Sequence, residues 1–287
     1  MVKRIVVIGA GISGVGAAVL AKKKGFEVFV SDKGIITTAN KIVLLNNDID
    51  WEEKTHTLKK ILNADELIKS PGIDNKVDLI QQIIAKEIPI ISEVEFAFRY
   101  TKAKIAAITG SNGKTTTTLL LGHILKSAGV DVLVAGNIGV GFALSISERD
   151  YDYIVLELSS FQLENIQKFR SDVAILLNIT ADHLDRYDDK MENYVASKFR
   201  ITENQTKQDV LIYNSDYSFL NTLKTKARKI PISLQKKHKE GGFYNNNKIT
   251  INLNNNTMTI QELALQGKHN VFNSMAAAMA ARVFEVK

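Results

Sequence analysis

Short apolar runs recur along this chain, each closed by a cluster of Gly, Ser, Asn or Asp and followed by a stretch of helical character. Arg4 to Ile8, Glu27 to Ser31, Ile42 to Leu45, Glu66 to Lys69 and Ile88 to Ile91 read as strands. Gly14 to Lys24 reads as a helix stopped at Gly25, Val77 to Lys86 as a second, and Glu95 to Tyr100 as a third, with Ser92 as its N-cap. From Glu93 the alternation begins again. Lys104 to Thr109, Asp131 to Ala135, Tyr153 to Leu158 and Val173 to Leu177 read as strands, and Thr116 to Ala128 and Tyr194 to Glu203 as helices. These strands are apolar throughout, the pattern of parallel strands covered on both faces. Gly242-Phe243-Tyr244, Lys248 to Leu253 and Thr257 to Ile260 form a β-meander, with the Asn runs 245–247 and 254–256 as its turns. Asn270 to Phe284 is an Ala-rich helix. The expected fold is α/β. A small Rossmann-like N-terminal domain over residues 1–92 precedes a P-loop-type, mostly parallel α/β domain with a short β-meander over residues 93–287.

Composition narrows the class. The 287 residues are 45% hydrophobic and 24% charged, ordinary values for a chain with a packed core. There is no cysteine, which excludes disulfides and thiolate metal sites and fits a cytoplasmic home. Ile5 to Ile8 runs straight into a Gly turn, unlike a signal peptide, and no apolar run approaches a membrane span. The net charge is +6, but the Lys clusters are short and scattered. Anionic phosphorylated substrates account for that balance, and nucleic acid is not an expected partner.

The strongest chemical signal lies between the strand Ile105 to Ile108 and the following helix: Thr109-Gly110-Ser111-Asn112-Gly113-Lys114-Thr115-Thr116. A Gly-rich turn there points backbone N–H groups at one spot, and the helix dipole adds partial positive charge. Lys114 brings a full charge for β- and γ-phosphates, and Thr115 a hydroxyl able to ligate Mg²⁺. The loop is shorter than the usual G-x-x-x-x-G-K-[ST], whose first Gly would fall on Ile108.

Gly9-Ala10-Gly11-Ile12-Ser13-Gly14, with Asp32 closing the next strand, has the form of a dinucleotide fingerprint. A unit ending near Ser92 is short for a complete two-halved NAD domain and favours one nucleotide. Three further clusters follow predicted strands: Gly136-Asn137-Ile138-Gly139, Glu157-Leu158-Ser159-Ser160 and Asn178-Ile179-Thr180-Ala181-Asp182-His183-Leu184-Asp185. Ligands bind outside the carboxyl ends of parallel strands, so the P-loop, Asn137, Glu157 and His183 can share one crevice. Glu157 suits Mg²⁺ ligation. The residues alone leave His183 open between metal ligand and surface histidine, and they give Lys198, on a helix, no role.

These motifs, with Gly267-Lys268-His269-Asn270-Val271-Phe272-Asn273, occur in the order of the Mur ligases, and the shortened P-loop is that family's own form. The chain is similar to the family's D-glutamate-adding branch through Gly9 to Gly14, the Ser70-Pro71-Gly72-Ile73 turn and Ser159-Ser160-Phe161-Gln162-Leu163. The resemblance implies ligation of D-glutamate to UDP-N-acetylmuramoyl-L-alanine through an acyl phosphate, with ATP and two Mg²⁺ ions. It implies that Gly110, Ser111, Asn112, Gly113, Lys114, Thr115 and Thr116 hold the ATP phosphates, and that Asn270 and Asn273 contact the adenine. Asn270 can alternatively cap its helix. Thr115 and Glu157 would hold one Mg²⁺, and His183 with a carbamylated Lys198 the other. Gly11, Ser13, Gly14, Asp32, Ser70 and Gly72 would line the UDP site, and Asn137 and Ser159 would contact the muramoyl-alanine part. The family's third domain, which binds the amino acid, would begin where Lys287 stands. The expectation is therefore a cytoplasmic, monomeric chain that binds but does not complete ligation.

Overall fold

The apolar runs of the N-terminal region form β1 (Arg4–Ile8), β2 (Glu27–Asp32), β4 (Glu66–Lys69) and β5 (Ile90–Ser92), with β3 (Asp50–Glu53) added from a polar stretch. Helices α1 (Ile12–Lys23), α2 (Thr38–Asn46), α3 (Leu58–Ile61), α4 (Asp78–Ala85) and α5 (Glu93–Phe98) connect or follow them. The strands pair in parallel in the order β3-β2-β1-β4-β5. Ile5 to Ile8 of β1 are all buried at the centre, and α1 is buried from Gly14 to Ala21. Gly14 is required where it stands: a Cβ there would lie 1.9 Å from the Gly9 carbonyl oxygen. The structure, a computed structural model, describes residues 2–260 and 267–285.

One expectation fails here. Ile42 to Leu45 is not a strand but the middle of α2. Thr37 caps that helix, its side chain accepting the Asn40 N–H at 3.3 Å, and only Leu44 is buried, while Ile42 and Leu45 are exposed. A short apolar run fits a helical turn as readily as a strand, and the cap decides it. The Ser92 cap is present as expected, accepting the Glu95 N–H at 3.2 Å.

The chain then builds β6 (Lys104–Thr109), α6 (Lys114–Ser127), β7 (Val132–Gly136), α7 (Phe142–Glu148), β8 (Tyr153–Glu157), α8 (Ser160–Leu163) and β9 (Val173–Leu176). After α9 (Met191–Phe199) come β10 (Val210–Asn214), α10 (Ser218–Asn221) and β11 (Arg228–Ser233). The last elements are β12 (Gly241–Asn245), β13 (Lys248–Leu253), β14 (Asn256–Ile260) and α11 (Lys268–Val283). The order in the second sheet is β14-β13-β12-β11-β10-β9-β6-β8-β7. It is parallel except for the two C-terminal hairpin pairings. The sequence reading assigned no strand between Glu203 and Gly242, where β10 and β11 stand. The Ala-rich face of α11 packs against α6 and the sheet, with Met275, Ala276, Ala277, Met279 and Ala280 fully buried. Small side chains let that helix lie close to its neighbours.

Two compact units result. Met1–Thr101, Gly139–Asp150 and Phe161–Phe169 make the first; Lys102–Ile138, Tyr151–Ser160 and Arg170–Lys287 make the second. The returning segments complete the first unit through its buried carboxylates. Glu93 accepts the Ala143 N–H at 2.7 Å. One oxygen of Glu95 accepts three N–H groups, from Gln167, Lys168 and Phe169, each at 2.8 Å.

Candidate functional site

In the second sheet β6 lies between β9 and β8, so the chain reverses direction across the sheet at β6. A loop after such a strand opens into the crevice where α/β sheets take ligands. The Gly110 to Gly113 turn leaves β6 here and enters α6 through Gly113 at φ 85°. The first N–H groups of α6, at Lys114 to Thr116, have no intrahelical partners to give them. A Cβ on Gly113 would lie 2.4 Å from Asn273 Oδ1, so the buried Asn273 side chain rests directly on the loop.

The loop is braced by the segment that follows β9. Ser111 N–H donates to the Asn178 carbonyl at 3.0 Å, and Asn112 N–H to Asn178 Oδ1 at 2.8 Å. Asn178 Nδ2 returns a bond to the Asn112 carbonyl at 2.9 Å. Ser111 Oγ donates to the Thr180 carbonyl at 2.8 Å and lies 3.1 Å from the Tyr194 hydroxyl. Asn178 and Thr180 belong to a cluster the sequence marks, but neither they nor Tyr194 had a role there. Their residue types are common, and only the fold shows that they face the loop.

Glu157, at the end of β8, is 1% exposed. Its Oε2 accepts the Thr115 hydroxyl at 2.8 Å, and its Oε1 accepts Asn137 Nδ2 at 2.8 Å. The structure thus brings Thr115, Glu157 and Asn137 together. Two cis ligands of an octahedral Mg²⁺ stand about 3 Å apart, so the Thr115 and Glu157 oxygens fit such an ion.

Two lysines meet on the loop. Lys114 Nζ donates to the carbonyls of Gly110 and Ser111, at 2.9 and 2.8 Å. Lys198, on α9 and 2% exposed, donates to the same Gly110 carbonyl at 3.1 Å, with its ammonium 4.6 Å from the Tyr194 ring centroid. Burial, then the Lys114 charge, bring the Lys198 amine down to about 7, against an opposing pull from Asp182. Burial also lowers Lys114, opposed by Glu157 and Asp182. Asp182 thus acts electrostatically on both lysines, an influence its motif did not disclose. His183 is exposed, at φ 49° before a 3₁₀ turn over Leu184–Tyr187, with Nε2 3.6 Å from Asp182 Oδ2. A left-handed histidine is a strained choice of the kind found at functional sites. Among the described residues no three His, Asp or Glu side chains cluster as metal ligands. Ser159 is half-buried just beyond β8.

A cavity of about 500 Å³ adjoins the loop, lined by Asn112, Gly113, Thr116 and Asn273 and also by Asn214, Tyr217, Leu234 and Phe272. Asn214, Tyr217 and Leu234 come from segments to which the sequence motifs gave no site, whereas Phe272 lies within the Gly267 to Asn273 motif. Asn270 lies in the third position of α11, whose N-cap is Gly267, so it does not cap that helix.

In the first sheet the reversal falls between β1 and β4. There a second cavity, of about 820 Å³, is lined by Gly9, Gly11, Asp32, Ser70 and Gly72, with Lys33, His56 and Asp74. Ser13 and Gly14 stand in the first turn of α1 and are not in its wall. Asp32 is committed to the backbone: Oδ2 accepts the Ala10 N–H at 2.6 Å and Oδ1 the Gly34 N–H at 2.7 Å. In a dinucleotide fold this carboxylate would instead grip a ribose. Buried Lys69 donates to the Ile73 carbonyl and so holds the Ser70 turn.

The fold is that of a known class. Residues 108–281 match the Mur ligase middle domain and residues 4–79 the MurD N-terminal domain. The chain belongs to the Mur ligase family. It is 48% identical, over its whole length, to the UDP-N-acetylmuramoylalanine--D-glutamate ligase of Christiangramia forsetii, covering 66% of that protein. To the ligase of the same name from Bacteroides thetaiotaomicron it is 51% identical, over 98% of this chain and 64% of that protein. The chain thus spans just under two thirds of the length of these relatives. Among solved structures, a UDP-N-acetylmuramate:L-alanyl-gamma-D-glutamyl-meso-diaminopimelate ligase from Neisseria meningitides shares the fold. Its TM-score is 0.65 at 21% identity, covering all of this chain and 95% of that one. No described helix is long and apolar enough to cross a membrane.

Proposed function

We propose that this chain carries the UDP-sugar and ATP sites of a ligase that joins D-glutamate to UDP-N-acetylmuramoyl-L-alanine. The observation that carries the reading is the Thr115–Glu157 pair beside the Gly110 to Thr116 loop, in a chain 48% identical to ligases of that name. In this reading ATP transfers its γ-phosphoryl group to the terminal carboxylate of the muramoyl-alanine. The D-glutamate amine then attacks the acyl phosphate, and inorganic phosphate leaves. Two anions must meet, so charge neutralisation and positioning dominate the catalytic need.

Lys114 and the N–H groups of Gly110 to Thr116 would hold the ATP phosphates, and Asn270 and Asn273 would contact the adenine. Thr115 and Glu157 would hold one Mg²⁺, which when bound neutralises phosphate charge. A second ion would take His183, with Lys198 supplying a carboxylate-like ligand as its carbamate. A lysine near pH 7 in its neutral form is the nucleophile that carbamylation requires. Gly11, Asp32, Ser70 and Gly72, which line the 820 Å³ cavity, would serve the UDP part, and Asn137 and Ser159 the muramoyl-alanine part.

Thermal unfolding with UDP-N-acetylmuramoyl-L-alanine, UDP, MgATP or NAD tests the reading. A ligand at a hundredfold excess over its Kd stabilises by about 2.7 kcal/mol. The muramoyl ligand should stabilise and NAD should not. Stabilisation by NAD alone would sink the proposal.

A further inference from the structure

His56 belongs to no motif, yet it lines the 820 Å³ cavity beside Asp32 and Lys33. It follows β3, the strand that pairs with β2. Its ring is held by a short relay. Ser31, fully buried at the end of β2, has its Oγ 2.8 Å from Glu52 Oε1 and 2.7 Å from His56 Nδ1.

The relay has one consistent proton arrangement. Burial alone would raise the Glu52 carboxyl, but hydrogen bonds from Thr57 and Ser31, with Lys60 nearby, hold it below its usual range. Glu52 is therefore an acceptor only, and the single Ser31 hydroxyl proton goes to it. His56 Nδ1 must then be the N–H that donates to Ser31 Oγ. In the neutral ring this leaves Nε2, on the opposite edge, as a bare acceptor. Desolvation lowers the His56 pKa. Glu52 and Asp32 pull the other way, and Lys33 adds to the lowering, so the neutral ring is the form present near pH 7.

We propose that His56 is a specificity residue for the nucleotide base, its Nε2 accepting the imide N3–H of a uracil ring. The proposal rests on the UDP-sugar reading and names the group that reads its base. A uracil edge offers one ring N–H between two carbonyl oxygens, which matches a lone acceptor. Cytosine presents a lone pair at N3 and would face the Nε2 lone pair unfavourably, and an N3-methyl group removes the proton.

The test is calorimetric binding of UDP, CDP and N3-methyl-UDP to the full chain and to its His56→Ala and His56→Gln variants. The wild type should prefer UDP to the other two by tenfold or more. His56→Ala should lose at least tenfold for UDP and about nothing for N3-methyl-UDP, collapsing the preference. His56→Gln, which keeps an acceptor oxygen, should restore part of it. The wild-type preference should also weaken on acidification, when Nε2 gains a proton and becomes a donor. If the wild type binds UDP and His56→Ala keeps the same ratio of UDP to N3-methyl-UDP, the role of His56 is overturned while the UDP-sugar reading stands. If the wild type binds no uridine nucleotide, both fall.

Discussion

Lys114 and Lys198 donate to one atom, the carbonyl oxygen of Gly110, so their ammonium nitrogens lie within about 6 Å of each other, the limit set by bonds of 2.9 and 3.1 Å. Two like charges on a loop built for phosphates repel until an anion or a lost proton relieves them. Lys198 is the more buried, and its amine is the one brought to about 7.

That pairing predicts an unusual dependence of stability on pH. Below pH 7 Lys198 is charged in both folded and unfolded chains, and the full penalty of burying it is present. Between pH 7 and 10.5 the unfolded chain keeps the proton and the folded chain does not, so stability rises with pH. Lys198→Met should raise Tm at pH 6, by a few kcal/mol of stability, and the gain should fade towards pH 10. Equal shifts at both pH values would contradict it. With ¹³C-labelled bicarbonate, a carbamate carbon signal is expected from the wild type and not from Lys198→Met.

Glu93 titrates in the opposite sense. Burial raises its carboxyl to about 7, against the backbone N–H groups of Ala143 and Phe142. The folded state holds a proton that the unfolded state releases above 4.5, so stability falls as pH climbs from 4.5 to about 7. The loss is on the order of 3 kcal/mol. Glu93→Gln should flatten this slope, as denaturant titrations at pH 5 and pH 8 would show.

Gly113→Ala should weaken nucleotide binding at least tenfold. The new methyl group meets Asn273 Oδ1 at 2.4 Å, on a backbone whose φ of 85° already disfavours a side chain. Adding Asn273→Ala removes the overlap but not the backbone cost, so the double variant should recover stability only in part. Fluorescent ATP-analogue titration and thermal melts measure the two effects.

Asn178→Ala removes the acceptor for Asn112 N–H and the donor to its carbonyl. A loss of about 1–3 kcal/mol is expected. Hydrogen exchange should speed up at Ser111 to Gly113 more than in the N-terminal sheet. Protection unchanged at those amides would show that Asn178 does not brace the loop.

The α/β class, both glycine turns and the contact between the Thr115 and Glu157 regions were legible because each depends on local pattern: an apolar strand, a turn and a helix start. What the sequence hid depends on packing. Asp50–Glu53 is polar, and only pairing with β2 makes it a strand. Ile42 to Leu45 suits two periods, and the Thr37 cap chose the helix. The burial of Lys198 was invisible, since a lysine near the end of a short helix looks solvated until the loop carbonyl above it is placed. The segments 139–150 and 161–169 carry no sign that they complete the first unit.

Those two segments bear on how the protein is made. Glu95 needs the N–H groups of residues 167–169, and Glu93 that of Ala143. A nascent chain that has emerged only as far as Thr101 holds two carboxylates destined for burial whose partners are still unsynthesised. The N-terminal sheet can pair early, but its helical flank must wait for about seventy more residues. Cutting the gene after residue 101 would therefore not yield a free-standing nucleotide-binding module, but a sheet with an unfinished side.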